Sequence, residues 1–457
     1  MNGRCLKAHL VILIAVSIMA ACSDEKSEQS TPDSGTAVEP DATSDRDTGD
    51  DRDVDESDED VDDGDGFVPW ERPEEGRWWA GDLHVHAAGA SNDAAPESTP
   101  ERIREVAIER GVDFVVLTDH SNSTGSDPWT LEEDPALFNQ GPEFPFWDKA
   151  LALSDDTFLM VQGNEISPVA DIENGGSGPT GHIGCIPGTL VDFDPNVAFV
   201  DRPRGEVTGG EALQQAQDVG CFSILNHPFG PVFWISYDWT SYDYDAVEVW
   251  NGGAGFNRFD EEAVKGWACD LSQDRRVVPV GGSDNHKVEV EPPGTVFDPP
   301  LGTPVTWVWS DALEWDEIIS GLYAGQVSIT DTGEPLEIDV FDASGQWLAM
   351  AGGDFQADQE VWIRVQGVRG GADEERQLQL IRIPQDGCDD TRAEGQINVP
   401  DPNWEVLETW SVDGGATVDE KREVNAEAGD VFFAWMVPEP VISMEEDVAI
   451  SGALFAR

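Results

Sequence analysis

Trp79-Ala80-Gly81-Asp82-Leu83-His84-Val85-His86 is the stretch whose reading decides the fold. It is short and mostly apolar, as a buried strand is, and it ends on two histidines two residues apart. Alternate residues of a strand point the same way, so His84 and His86 share a face and can grip one ion. A helix pattern follows. Thr99-Pro100-Glu101 supplies an N-cap and a first-turn proline, Ile103, Val106 and Ala107 mark one face, and Gly111 stops it. Val112 to Thr118 then reads as the next strand. The unit recurs, with Glu211 to Val219 as helix, Gly220 as its stop and Cys221 to Leu225 as strand. Further strands are expected at Phe158 to Glu165, Ala246 to Trp250 and Val277 to Gly281. Short apolar strands alternating with helices predict α/β units on a parallel sheet, and this many predict a barrel.

The chain has 7 histidines. Apart from His9, each is expected at or just past the C-terminal end of a strand, where barrel enzymes build their sites. The segments are Asp82-Leu83-His84-Val85-His86, Leu117-Thr118-Asp119-His120, Gly163-Asn164-Glu165, Gly181-His182-Ile183, Asn226-His227-Pro228 and Gly282-Ser283-Asp284-Asn285-His286. Each alone has an ordinary explanation. An imidazole is readily satisfied by backbone groups, and Asn-His-Pro makes a good turn. Together, six imidazoles and several carboxylates converging on one edge suit a borderline divalent metal such as Zn, Mn or Fe.

The ordered set Asp-x-His-x-His, Thr-Asp-His, Gly-x-Glu, His, Asn-His-Pro and Gly-Ser-Asp-x-His resembles the PHP (polymerase and histidinol phosphatase) superfamily. Within it, Gly81-Asp82-Leu83-His84-Val85-His86 and Val247-Glu248-Val249-Trp250-Asn251-Gly252 are similar to the carbaryl-hydrolase-like branch of metallohydrolases. The resemblance covers roughly residues 76 to 335. It implies an α/β fold, a distorted (β/α)7 barrel carrying two or three divalent ions. Carried over residue by residue, it implies one ion on His84, His86, Glu165 and Asp284, and a second on Glu165, His182 and His227 with Glu165 bridging. A third would sit on His120, His286 and a ligand from the loop after the first strand. There the sequence departs from the family spacing, because the carboxylate of Ala87-Ala88-Gly89-Ala90-Ser91-Asn92-Asp93 comes one or two residues late. Asp93 is the expected ligand, with Asn92 as the other candidate.

The chemistry implied is hydrolysis without a covalent intermediate. Paired cations bridged by Glu165 lower the pKa of bound water from 15.7 toward about 7 and neutralise charge on a phosphate or on a developing oxyanion. Asp119 and Asp82 stand beside ligands, either as acceptors that orient imidazoles or as strand-end caps. Asn285 and Lys287 are candidate substrate contacts. Aromatic residues from Phe229 to Trp239 follow His227, where they overhang the ions and favour an aryl, nucleoside or sugar group, or simply pack the loop. The Pro- and Phe-rich segment from Ser126 to Trp147 is a lid or, equally, loop packing. The superfamily favours a phosphoester as substrate. Carboxylic and carbamate esters are the runner-up, because the barrel carries few cations for a phosphate, namely Arg202, Arg204, Arg258, Lys265 and Lys287. A metal-binding surface protein without activity is the third reading.

Charge excludes other classes. With 26 Lys+Arg against 92 Asp+Glu in 457 residues the net charge is −66, so phosphate neutralisation along a nucleic-acid duplex is not expected. Much of the acid sits in one place. From Ser23 to Gly66 there are 19 acidic and three basic residues and no aromatic, which reads as a disordered acidic tether over residues 22–66. Before it, Arg4 and Lys7, the apolar run Leu10 to Met19 and Met19-Ala20-Ala21-Cys22 resemble a bacterial lipoprotein signal, removed at residue 21 with Cys22 lipidated. The chain is therefore expected outside the cytoplasm, held to a bacterial membrane only through its lipid. Cys185, Cys221, Cys269 and Cys388 remain for disulfides or buried thiols, and four cysteines allow three pairings.

Beyond the barrel, assigned to residues 67–334, the pattern loses its helices. Leu336, Ile338 and Val340 alternate, as do Val361, Ile363 and Val365, while Val431 to Val437 is one continuous apolar run. Glycine pairs at 352–353, 370–371 and 414–415 separate the runs. Residues 335–457 are expected to form a small all-β sandwich-like domain.

Overall fold

A computed structural model describes residues 69–73, 76–91, 93–120, 144–166, 182–196, 209–230, 243–253, 255–295, 298–368, 376–388, 401–437, 441 and 445–457. The signal segment with Cys22, the acidic tether, Asn92, Arg202, Arg204, most of the Ser126–Trp147 segment and residues 231–242 of the aromatic loop lie outside them. None of the helices among the described residues is long and apolar enough to cross a membrane.

Among the described residues the order begins with β1 (Arg77–Val85), α1 (Pro100–Glu109), β2 (Phe114–Leu117), α2 (Trp147–Ala152) and β3 (Leu159–Gln162). Helix α1 is set by the signals that predict it. Thr99 Oγ1 accepts from the Arg102 amide at 3.3 Å, Ile103, Val106 and Ala107 are buried, and Gly111 has a φ of +74°. Strands β1, β2 and β3 are parallel, with Val115 paired to both Asp82 and Met160. Then come β4 (Asn164–Ile166), β5 (His182–Pro187), α3 (Gly209–Asp218), β6 (Cys221–Asn226), β7 (Ala246–Asn251), α4 (Arg258–Ser272) and β8 (Val278–Gly282). Strands β6, β7 and β8 are parallel, but β5 runs antiparallel to both β4 and β6.

The expected single ring of seven parallel strands is therefore not what the described residues form. The stretch from Phe158 to Glu165 breaks at Gly163 into β3 and β4, which belong to different sheets. Five strands, β4 to β8, make one sheet. The other continues from β3, β2 and β1 into β9 (Val305–Ser310) and, past α5 (Trp315–Ala324), into β10 (Val327–Thr330), each antiparallel to its neighbour. The two sheets are stitched where their edges meet. The His86 amide donates to the Asn285 carbonyl at 2.9 Å, the Glu165 amide to the Asp119 carbonyl at 2.9 Å, and Thr306 Oγ1 exchanges hydrogen bonds with the Gly281 backbone. Gly282 permits a close approach, since a Cβ there would lie 2.5 Å from His84 Cβ.

The remaining strands are β11 (Glu337–Phe341), β12 (Trp347–Met350), β13 (Asp354–Phe355), β14 (Gln359–Val368), β15 (Arg376–Ile383), β16 (Glu405–Val412), β17 (Thr417–Ala426), β18 (Val431–Met436), β19 (Ala449–Ser451) and β20 (Leu454–Ala456). Sheet β12-β11-β14-β17 faces β18 and its neighbours, and Ile338, Val340 and Ile363 pack against Leu380, Phe432 and Leu454. The sandwich is continuous with the sheet of β1, because β19 pairs with β10 as well as with β18. This explains the unbroken apolar run of β18. Phe432, Ala434 and Met436 fill the sandwich core, while Phe433 and Trp435 enter the core around α4, where Trp267 meets Phe433 at 5.1 Å between ring centroids. The segment that precedes β1 also docks here. Trp70 packs on Phe341 and Trp362, and Arg72 donates to Asp339 and Glu337. Residues 66–457 form one compact unit.

Two disulfides resolve the three possible pairings. Cys185–Cys221 joins neighbouring strands β5 and β6, and Cys269–Cys388 ties α4 to the segment after β15.

At the junction of β10 and β19, Asp331 accepts the amides of Asp447 and Val448. Burial nevertheless pushes its carboxyl up to about 7. A carboxyl raised in the folded state favours folding while it keeps its proton, and that advantage disappears as pH climbs from the ordinary aspartate value toward 7. Relative to Asp331→Asn, the wild type should lose on the order of 3 kcal/mol of stability between about pH 5 and pH 8. Urea denaturation of both proteins at the two pH values measures it, and parallel curves would refute it.

Candidate metal centre

The nine side chains singled out as ligands meet at one edge of the two sheets. His84 ends β1 with His86 just beyond, His120 follows β2, Glu165 lies in β4, His227 follows β6, and Asp284 and His286 follow β8. His182 differs from expectation because it begins a strand. Since β5 is reversed, its first residue pairs with Asn226 at the end of β6, and the imidazole reaches the same edge. Asp93 arrives through a tight turn, in which the Ser91 amide donates to the Ala87 carbonyl at 3.1 Å. That turn takes up the extra residues, so Asp93 stands 3.2 Å from His120 Nε2 and 3.4 Å from His286 Nε2.

Glu165 is the hub. Its Oε1 lies 3.2 Å from His84 Nε2, 2.8 Å from His182 Nδ1 and 3.3 Å from His227 Nε2. Its Oε2 lies 3.0 Å from His120 Nδ1 and 3.4 Å from His86 Nε2. Asp284 Oδ1 stands 3.2 Å from His84 Nε2 and 3.1 Å from His86 Nε2. Three overlapping groups have ligand atoms within 4.8 Å of one another: His84, His86, Glu165 and Asp284; His120, Glu165 and His182; and His86, Asp93, His120 and His286.

The donor set fits divalent cations on evidence of its own. His84 Nε2, His120 Nδ1 and Glu165 Oε2 are buried and make no hydrogen bond. His182 Nδ1 and His227 Nε2 lie 3.1 Å apart against the same carboxylate oxygen, an arrangement suited to a shared cation. Electrostatics agree. Burial works against charge on Glu165, yet His182, His84 and His120 hold its carboxyl well below the usual range. Burial likewise opposes charge on Asp284, which His84, His86 and His286 keep well below that range. For His84, burial is outweighed by Asp284, Glu165 and Glu248, which hold the imidazole well above its ordinary value. His86 goes the other way: burial, reinforced by His286 and His120, pushes it down to about 3. The acids thus remain charged, and their imidazole neighbours must carry either protons or a cation in their place.

Asp82 and Asp119, expected either to orient imidazoles or to cap strands, bond no imidazole. Asp82 accepts the amides of Ser283 at 3.0 Å and Gly302 at 2.8 Å. Asp119 accepts the Ala87 amide at 2.6 Å and the Gln162 side chain at 3.1 Å, and burial pushes its carboxyl up to about 6. Both hold backbone at the sheet edge. Asp119 reaches a ligand at one remove through Ser91, whose hydroxyl donates to it at 3.2 Å and lies 2.9 Å from His86 Nδ1.

Two supporting residues were not singled out from sequence. Ser91 is one, hidden among the small residues of its loop. Glu248 is the other, 3.0 Å from His84 Nδ1; the sequence marks it only as an acid in the apolar stretch 247–252 that carries the family resemblance, with no role attached. Asn285, a candidate substrate contact, instead donates its amide to the carbonyls of Lys287 and Pro299. Lys287 pairs with Asp298, and Lys265 with Glu261. Phe229 is buried in the core with Trp250 and Phe256, so this first ring of the aromatic loop serves packing. Trp147, which ends the Pro- and Phe-rich segment, stacks on Phe193.

No family model matches the chain, and no curated protein does. Among solved structures it is similar to a two-domain protein from Bacteroides vulgatus ATCC 8482 containing a predicted PHP-like metal-dependent phosphoesterase. The identity is 14% and the TM-score 0.38, over 84% of this chain and 99% of that one. It is also similar to the lesion-specific endonuclease Q of Pyrococcus furiosus, at 17% identity and a TM-score of 0.34 over 54% of this chain. An endonuclease Q complex with a 27-mer duplex carrying an abasic lesion matches at 16% identity and the same TM-score. The chain spans 56% of each endonuclease chain. These are low levels of likeness, and what the site can do rests on its own side chains.

Proposed function

We propose that the chain is a metal-dependent hydrolase of PHP type whose preferred substrate is a small phosphoester. The observation that carries this is Glu165, buried within 3.4 Å of five imidazole nitrogens. His84, His86, Glu165 and Asp284 would hold one ion, Glu165, His182 and His227 a second, and Asp93, His120 and His286 a third. Imidazole and carboxylate donors suit Zn, Mn or Fe. When bound, such ions supply Lewis-acid polarisation of the scissile group and activation of water at neutral pH.

The chain's own residues do the rest. Glu165 fixes the positions of five rings, and Ser91, held by Asp119, sets the plane of His86. His84, His86 and Glu165 are closed off from solvent, whereas the side chains of Asp93 and His286 are 32% and 24% exposed. The open side of the centre, where substrate would approach, is therefore the one formed by Asp93, Asp284 and His286.

One observation favours acyl chemistry as the second reading. Lys265 and Lys287 already pair with carboxylates, and the Arg258 guanidinium lies over the Phe259 ring, so these cations are not poised for a phosphate. The ions would then be the main counter-charge, which suits a carboxylic or carbamate ester equally well.

The two disulfides support a place outside the cytoplasm, and with the lipobox-like Met19-Ala20-Ala21-Cys22 they make a lipid-anchored extracytoplasmic enzyme the proposed setting. Its partner is a small ester with an aryl, nucleoside or sugar group, and its contact with the membrane is the lipid alone. Assays of residues 67–457, loaded with Zn or Mn, against aryl phosphates and aryl carboxylates separate the readings. Faster turnover of the phosphate, lost to a chelator and restored by metal, is expected. Preference for the carboxylate would favour the second reading, and a fully loaded protein that turns over neither would leave a metal-binding surface protein.

A further inference from the structure

Glu248 belongs to none of the three ligand groups, yet one of its oxygens faces His84, which does, and the other holds the backbone of His227. It lies in β7 between Val247 and Val249, which are fully buried, and is itself buried. Oε1 stands 3.0 Å from His84 Nδ1. Oε2 accepts the backbone amide of His227 at 2.7 Å and the Asn251 side-chain amide at 3.0 Å. The Asn251 amide in turn lies 3.4 Å from Asp284 Oδ2. His227 needs such a hold, because its φ of +30° is in the left-handed region that a residue with a Cβ rarely adopts.

We infer that Glu248 is a positioning residue that joins two halves of the centre, setting the ring plane and tautomer of His84 with one oxygen and pinning the strained backbone of His227 with the other. A carboxylate facing Nδ1 keeps the proton there. Nε2 is then left with its lone pair directed at the point shared with Glu165 and Asp284, 3.2 Å from an oxygen of each. The same carboxylate fixes where the His227 ring starts, so His84 and His227 reach Glu165 Oε1, at 3.2 and 3.3 Å, in a set relation. Gly282 leaves room for the pair, since a Cβ there would lie 2.5 Å from His84 Cβ and 3.1 Å from Glu248 Oε1. This inference rests on the metal-centre reading above.

The test uses Glu248→Gln and Glu248→Asp in residues 67–457, with zinc affinity measured by competition against a chromophoric chelator and His84 followed by nitrogen-15 NMR. Glutamine keeps the shape but brings an amide donor to one of the two contacts. Its zinc affinity should fall about 10- to 100-fold, with aspartate between it and the wild type. In the wild type His84 should show a slowly exchanging Nδ1–H and an unprotonated Nε2 when zinc is present, and the Nδ1–H signal should broaden or vanish in Glu248→Gln. Wild-type zinc affinity in a folded Glu248→Gln chain, or a wild-type His84 protonated on Nε2 with zinc bound, would overturn the inference. Failure of the wild type to take up zinc would instead sink the metal-centre reading, and the Nδ1–H resonance would still decide whether Glu248 holds the ring. Should Glu248→Gln not fold, the wild-type spectrum and Glu248→Asp carry the test.

Discussion

A Glu165→Gln chain should lose at least one bound divalent ion and most of its hydrolytic activity. The drop should exceed the roughly 10- to 100-fold expected when only a supporting partner of a ligand is removed. Glu165 serves two of the three ligand groups and stands within 3.4 Å of five imidazole nitrogens, so one change weakens neighbouring sites together. The substituted amide retains an acceptor for the Asn226 side chain, which now donates to Oε1 at 3.0 Å, but it cannot balance charge on His84 or His120. In ion-free protein the same change strands buried positive charge, at a cost of about 3–5 kcal/mol. Elemental analysis, steady-state rates and urea denaturation of the variant measure the three effects. Unchanged ion content would remove Glu165 from the centre.

Replacing Cys269 and Cys388 by serine together should produce the largest loss of stability that does not involve the centre. The bridge closes a separation of 119 residues, for which the loop-entropy relation gives about 4.9 kcal/mol, against about 3.8 kcal/mol for the separation of 36 between Cys185 and Cys221. Structure points the same way. Cys185 and Cys221 lie on strands already paired through the β5–β6 ladder, whereas Cys269–Cys388 is a covalent link between α4 and the β15 end of the sandwich sheet. Urea denaturation of the two double variants should place the Cys269/Cys388 variant lower. The reverse order would mean that the unfolded chain is already constrained across the longer loop.

The histidines were legible because metal chemistry leaves few residue types to choose from and strand periodicity tells which share a face. His84 and His86 came from that rule alone. The approach of Asp93 to His120 and His286 was expected only from the family resemblance, and a tight turn at Ala87–Ser91 makes it physically possible. Strand direction was not legible. His182 to Pro187 is the same apolar run whichever way it points, and its reversal makes β5 antiparallel to both neighbours, while the break into two sheets falls at Gly163 between β3 and β4. The run at β18 announced burial on both faces without saying which cores would take them. Supporting residues were hidden for a related reason. Nothing near Glu248 in sequence shows that His84, 164 residues away, will meet its carboxylate, and Ser91 acts on His86 only because Asp119 turns its hydroxyl. Cysteine pairing is equally silent, since three pairings satisfy the same four residues.

The measurement closest to the central claim is the divalent-ion content of purified wild-type residues 67–457, by elemental analysis, paired with hydrolysis of an aryl phosphate before and after chelation. The account predicts two or three Zn, Mn or Fe ions per chain, with turnover that disappears as they are stripped and returns as they are replaced. A folded chain that holds no divalent ion, cannot be loaded with one, or hydrolyses the ester equally well without it would contradict the account.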